Sequence, residues 1–230
     1  MEKLITLYHG SEKVVETPTY GFGKEHNDFG LGFYCTESNA LAKEWAVSSL
    51  RNGFANKYTL DTEYLHILNL NSPDYTILNW IAVLIKHRLF TIKTPVAQRA
   101  KRYLIDNFGV NVNAYDLITG YRADDSYFDY AESFINNGIS VEQLAKAMRL
   151  RKLGEQIVIK SKLAFSRLHF EGFELAEKEK YHILRKSRDD EANQLYFKML
   201  EEESDGLYIQ DIMRGGIKND DPRIPRNVSK

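Results

Sequence analysis

The chain has 230 residues, 43% of them hydrophobic and 12% aromatic, enough for a packed core in one large domain or two small ones. Its net charge of −1 excludes the global basic field that announces a nucleic-acid partner; the local clusters Lys86-His87-Arg88, Arg99 to Arg102 and Arg149 to Lys152 read as solvated helix faces. One cysteine excludes an internal disulfide framework and a cysteine-based zinc site. No apolar run can span a bilayer and the first residues lack a secretory stretch, so a cytoplasmic protein with no membrane partner is expected.

Leu4 to Tyr8 reads as a strand, and the Pro- and Gly-bearing stretch 12–30 as a loop. Phe33 to Thr36 is strand-like. Ser38 can cap a helix carrying Leu41 and Trp45, and further strands are expected near Lys57 to Leu60 and His66 to Leu70. Residues 73–108 change to helical spacing, with Ile77, Ile81, Leu84 and Ile85 in phase and Pro95 starting a second helix. They read as a helical insert that need not belong to the sheet. Tyr115 to Gly120 is a strand. Ser140 with Gln143 has capping-box spacing before the helix of Val141, Leu144 and Met148. Gln156 to Lys160 and Leu168 to Leu175 are strand-like. Asp189 can cap a last helix, and residues 218–230, with two prolines and many charges, read as a flexible tail. Strands interleaved irregularly with helices indicate an α+β fold, with residues 1–217 as one domain.

Two short motifs carry the chemistry. His9-Gly10-Ser11 ends the first strand in a polar turn, where a neutral imidazole can donate from one nitrogen and accept at the other. Gly30-Leu31-Gly32-Phe33-Tyr34 runs from a loosened loop into the second strand and presents the flat, amphipathic ring of Tyr34. This is not a dinucleotide loop of the Gly-x-Gly-x-x-Gly type, because the last glycine and the βαβ unit are missing. The remaining histidines lack metal-ligand spacing, so no metal is expected. Cys35 reads as a small buried apolar residue rather than a nucleophile.

A strand-end His-Gly-Ser followed by Gly-x-Gly-x-Tyr resembles the NAD-binding core of the ADP-ribosyltransferases. Pro18, Gly23, the run Asn27 to Thr36, Ala42-Lys43-Glu44-Trp45, Tyr115 to Gly120, Ala123-Asp124-Asp125 and Gln156 to Ile159 are similar to a bacterial family of unknown function grouped with them. The resemblance covers residues 4 to 215. It implies a split, mostly antiparallel sheet with NAD as co-substrate in the cleft. His9, with Gly10 and Ser11, would meet the adenosine ribose. Tyr34, with Gly32 and Phe33, would meet the nicotinamide, and Trp45, eleven positions on, would cover its other face. Both the His9 and Tyr34 side chains are then expected to line one pocket. Trp45 also has an ordinary reading as a core residue of an amphipathic helix.

The third position of the superfamily triad is a strand-borne glutamate, and the resembled family carries glutamine there. That assigns Gln156, which can hydrogen-bond ribose but brings no charge. Glu155 is its neighbour, and strand alternation turns it to the opposite face. Asp124 and Asp125 follow a strand in a loop; either can supply the missing charge, and either can simply cap the next helix. The resemblance implies a mono-ADP-ribosyltransferase, a toxin or effector, acting on a macromolecular acceptor (protein, RNA or DNA), with an antitoxin or immunity protein as a further partner. The alternative is a catalytically silent module that binds NAD or ADP-ribose.

Overall fold

The structure, a computed structural model, describes residues 4–90, 92, 94–123, 125–149, 155–202 and 205–227, the side chains of 125–127, 149 and 192 excepted. The fold is α+β. Strands β1 (Leu4–Ser11), β3 (Gly53–Asp61) and β7 (Leu168–Ala176) form an antiparallel sheet in the order β1-β3-β7. Strands β2 (Phe33–Cys35), β6 (Glu155–Ile159), β5 (Leu117–Tyr121) and β4 (Ile67–Asn69) form a second sheet in the order β2-β6-β5-β4. It is antiparallel apart from the β4–β5 pair.

Alternation along the strands divides the apolar side chains into two layers. Leu7 and Leu60 of the first sheet meet Cys35, Leu117, Ile157 and Ile159 of the second in one cluster. The opposite face of the second sheet, carrying Leu68, Ile118 and Val158, lies against a larger helical cluster. That layer contains α2 (Ile77–His87), α3 (Pro95–Phe108), α4 (Asp125–Ile135) and α5 (Val141–Arg149). Helices α2 and α3, the described helices of the 73–108 stretch, are therefore packed in the layer that covers the sheet. Helix α2 is apolar nearly all round and buried from Ile77 to Ile85, as a helix clasped between a sheet and a second helical layer must be.

Helix α1 (Asn39–Ala46) is capped by the Ser38 hydroxyl, which accepts from the Leu41 amide at 3.3 Å. It crosses the first sheet at Gly10, where a side chain would come within 2.0 Å of the Ala42 carbonyl oxygen. Glycine there is a condition for seating α1 on β1. Ser140 and Gln143 close their capping box with bonds of 2.9 and 3.2 Å.

Two expectations are corrected. Beyond the short α6 (Lys162–Ser166), the last long helix, α7 (Lys178–Glu201), starts well before Asp189, which lies inside it. Its first half has no apolar stripe for periodicity to find. It is anchored by polar contacts instead: Asn52 accepts from the Lys178 amide at 2.9 Å, and Arg188 pairs with buried Glu44 at 2.8 Å. The C-terminal stretch is not a flexible tail over residues 218–227. Ile224 is buried, and Asn227 donates from Nδ2 to the Leu70 carbonyl at 2.6 Å. Its charges conceal two inward anchors.

Candidate active site at the meeting of the two sheets

The two sheets touch at one antiparallel bridge, Tyr8 with Thr36, whose N–O distances are 2.7 and 2.9 Å. Beyond it, among the described residues, β1 and β2 form no further ladder pair. His9 fills that position with its side chain: Nδ1 lies 2.7 Å from the Tyr34 carbonyl oxygen. A carbonyl only accepts, so Nδ1 carries the proton and Nε2 is left as an acceptor. Burial holds the imidazole below its ordinary pKa, so the ring is neutral. Its main chain is fixed by the fully buried Asn56, which donates to the His9 carbonyl at 3.1 Å and to the Ser11 hydroxyl at 3.1 Å.

His9 and Tyr34 thus meet, but not as two rings facing one pocket. The His9 ring packs on Phe33, 4.4 Å between centroids. Tyr34 projects from the other face of β2, beside its ladder partner Val158 and toward the helical cluster. Its hydroxyl donates to the Gly30 carbonyl at 2.6 Å and accepts from the Phe29 amide at 3.0 Å, which folds the preceding loop over it. Burial raises the phenol pKa, so it stays protonated. The loop glycines answer to protein packing. A side chain at Gly32 would fall 2.5 Å from the Val158 methyl, and Gly30, at φ +74°, sits beneath the His87 ring.

Gln156 lies on the Tyr34 face of β6 and is buried. Its Nε2 donates to Asp28 Oδ2 at 2.8 Å and to the Tyr121 carbonyl at 3.0 Å. The same Asp28 oxygen accepts from the Ala123 amide at 2.8 Å, and Oδ1 lies 3.6 Å from an Arg88 nitrogen. Burial pushes the Asp28 carboxyl up, against the lowering effect of these hydrogen bonds and of Arg88 and Arg122. The β5–β6 ladder runs without a register shift, so Glu155 faces away from Gln156, and there Asn71 donates to it at 3.1 Å. Asp124 lies outside the described residues; Asp125 opens α4, its side chain likewise outside them.

Trp45 on α1 is half-buried under the guanidinium of Arg122, 4.5 Å above its ring, and its buried Nε1 has no hydrogen-bond partner. Opposite, Lys160 donates to the Phe29 carbonyl at 2.9 Å. Burial, Lys160 and Lys86 push the His87 imidazole down to about 4. Cys35 is fully buried and burial raises its thiol pKa, which removes it as a nucleophile. Asn56 and Arg122 carry no signal in the sequence; Asp28 lies inside the run Asn27 to Thr36, and Arg88, expected on a solvated helix face, instead lies beside buried Asp28.

A family model described as a protein of unknown function, DUF3990, matches residues 5–170, from β1 into β7. No curated protein and no solved structure gives a match.

Proposed function

The chain belongs to the DUF3990 family, and we propose that it is an NAD-dependent mono-ADP-ribosyltransferase with an ADP-ribosyltransferase-like split sheet. The observation that carries this reading is the junction at which His9 takes over from the β1–β2 ladder. It brings the main chains of the His-Gly-Ser and Gly-x-Gly-x-Tyr motifs together where the sheets part, with the His9 ring on the Phe33 side of β2 and the Tyr34 ring on the other, so that one NAD has to reach both faces past the end of the β1–β2 contact; it leaves the imidazole Nε2 as an acceptor for a ribose hydroxyl. The Tyr34 hydroxyl is committed to its own loop, so what the residue offers is its ring. Stacking of a cationic nicotinamide there gains dispersion and a cation–π attraction. The unpartnered Trp45 N–H is a donor for the same ligand.

In the reaction, the bond between ribose C1′ and the nicotinamide nitrogen breaks with its electron pair going to the ring nitrogen. Nicotinamide leaves neutral and positive charge develops on the ribose. The acceptor nucleophile bonds to C1′ and gives up its proton to a base, for which Asp125 and Asp124 are the candidates. The ribose hydroxyls are held at Gln156. The acceptor is a macromolecule (protein, RNA or DNA), consistent with a cytoplasmic toxin or effector held in check by an antitoxin or immunity partner. No helix among the described residues is long and apolar enough to cross a membrane.

The absence of a glutamate beside Asp28 favours a second reading, a silent module that binds NAD or ADP-ribose. Incubation with NAD labelled in the ADP-ribose half, with acceptors from a cell extract, separates the two. Label in macromolecules with free nicotinamide supports the transferase; binding without nicotinamide release supports the module; no binding removes both.

A further inference from the structure

Resting on the transferase reading, we propose that Asp28 is a positioning residue that converts Gln156 into a one-sided acceptor, so that the pair together replaces the triad glutamate. A carboxamide normally presents a donor and an acceptor, and either end can be turned toward a ligand. Here the choice is made by the protein. Nε2 faces two acceptors, Asp28 Oδ2 at 2.8 Å and the Tyr121 carbonyl at 3.0 Å, so the amide cannot be reversed without setting oxygen against oxygen. Among the described residues no group donates to Oε1. That oxygen is the end left for a ribose hydroxyl, which a glutamate would also receive on an oxygen.

Charge reaches the acceptor through the same pair. Gln156 is neutral, but its amide is hydrogen-bonded to a carboxylate, and a charge-assisted bond polarises the carbonyl at the other end. The formal charge lies one residue behind the acceptor, in a site where Asp28 is 5% exposed and water screens little. Burial raises the Asp28 carboxyl pKa; the two N–H donors on Oδ2 and Arg88, 3.6 Å from Oδ1, oppose that rise and favour the ionised form. Arg122 acts in the same direction, while the buried Tyr34 hydroxyl stays neutral. The same Oδ2 takes the Ala123 amide, so one carboxylate fixes both the acceptor on β6 and the main chain at Ala123, two residues before α4.

Exchanging the two groups tests this directly. In the double variant Asp28→Asn/Gln156→Glu the charge moves onto position 156 itself; because one oxygen of Asp28 serves both Ala123 and Gln156, the new amide can donate from its nitrogen to the carboxylate at 156 only by giving up the Ala123 amide. Nicotinamide release, NAD affinity by calorimetry and thermal unfolding are measured for the wild type, both single variants and the double. Asp28→Asn should lower release by about 10²–10³-fold, the usual cost of one electrostatic stabiliser, with NAD affinity changed far less. Gln156→Glu alone sets two carboxylates at hydrogen-bond distance. They must share a proton, so its release should decline relative to the wild type as pH rises. The double variant should release nicotinamide faster than either single variant, while its melting temperature stays below the wild type because the Ala123 contact is lost. A purely structural clamp predicts instead that the double variant releases no faster than Asp28→Asn, which would overturn the proposal. So would a folded Asp28→Asn variant with wild-type release. If Asp28→Asn does not fold, Gln156→Glu decides: a pH profile parallel to that of the wild type overturns the pairing. A wild type that binds NAD but never releases nicotinamide, or that fails to bind it, overturns the transferase reading and this one with it.

Discussion

The His9 imidazole donates from Nδ1 to the Tyr34 main-chain carbonyl across 2.7 Å, one residue past the last backbone bridge between the sheets. A side chain has taken the place of a ladder hydrogen bond, which lets β1 turn away from β2 without stranding the carbonyl. Removing the ring should therefore cost twice. His9→Ala leaves a partly buried acceptor unpaired and should lower stability by about 1–3 kcal/mol in urea unfolding. It should also weaken NAD binding by calorimetry. Loss of stability with full affinity would confine His9 to the seam.

Tyr34 separates ring from hydroxyl. Tyr34→Phe removes the bonds to Phe29 and Gly30 and should cost about 1 kcal/mol of stability while leaving NAD affinity nearly unchanged. Tyr34→Ala should weaken binding by about 1–3 kcal/mol through lost stacking and cation–π contact. Equal affinities for a folded Tyr34→Ala protein and the wild type would remove the ring from the site.

Trp45→Phe keeps an aromatic face for Arg122 and deletes an N–H that has no partner. The unliganded protein should lose little stability, since no hydrogen bond is broken. If the N–H serves NAD, affinity falls by about 1 kcal/mol, the net worth of one hydrogen bond. A large stability loss with unchanged affinity would return Trp45 to the core.

Much of this arrangement was legible in the residues. The loop into Tyr34, the caps at Ser38 and Ser140 and the alternation that parts Glu155 from Gln156 follow from local rules, and the structure keeps them; the polar turn expected at His9-Gly10-Ser11 is instead strand, paired with β3 as far as Ser11. What was not legible depends on contacts distant in sequence. Asp28 looks like any loop aspartate until β6 brings Gln156 to it across 128 positions. The opposite facing of His9 and Tyr34 is set by where β1 leaves β2, which no spacing records. The first half of α7 has no apolar stripe; Asn52, Glu44 and the packing of Tyr181 on Ala46, Val47 and Ala176 tie it to the body. Asn227 shows the same blindness: a polar residue in a charged stretch, inserted into the Leu70 carbonyl.

His87 makes stability depend on pH. Its imidazole is held at about 4 against an ordinary 6.5, so the folded protein binds a proton less readily than the unfolded chain. The stabilisation is therefore complete above 6.5 and is lost as pH falls from 6.5 toward about 4. In a dry site that shift would be worth about 3 kcal/mol; a half-exposed ring retains about 1–2 kcal/mol of it. Asp28 works the other way, because its carboxyl is raised and acid favours its folded form. The comparison that isolates His87 is wild type against His87→Gln by urea unfolding between pH 7 and pH 4. The variant should lose about 1–2 kcal/mol less than the wild type over that range. Parallel curves would mean that the ring titrates as it does in water.

The division of labour around the ribose is read by nicotinamide release from Gln156→Ala, Asp125→Ala, Asp124→Ala and Glu155→Ala. Gln156→Ala removes the only group on β6 that reaches Asp28, and release should fall by about 10²–10³-fold. Asp125→Ala should fall similarly if its carboxylate takes the acceptor proton, and should show the loss more clearly with a macromolecular acceptor than with water. Asp124→Ala separates catalysis from capping: a cap costs about 1 kcal/mol of helix stability and leaves the rate alone. Glu155 is turned to the other face of the strand and bound by Asn71, so Glu155→Ala should release nicotinamide at close to the wild-type rate. The reverse pattern, loss at Glu155 with normal rates at Gln156 and Asp125, would mean that the reacting ribose, and not only the adenosine ribose at His9, lies on the Phe33 side of β2. The reaction would then use an ordinary glutamate, and the Asp28–Gln156 pair would be a structural clamp behind it.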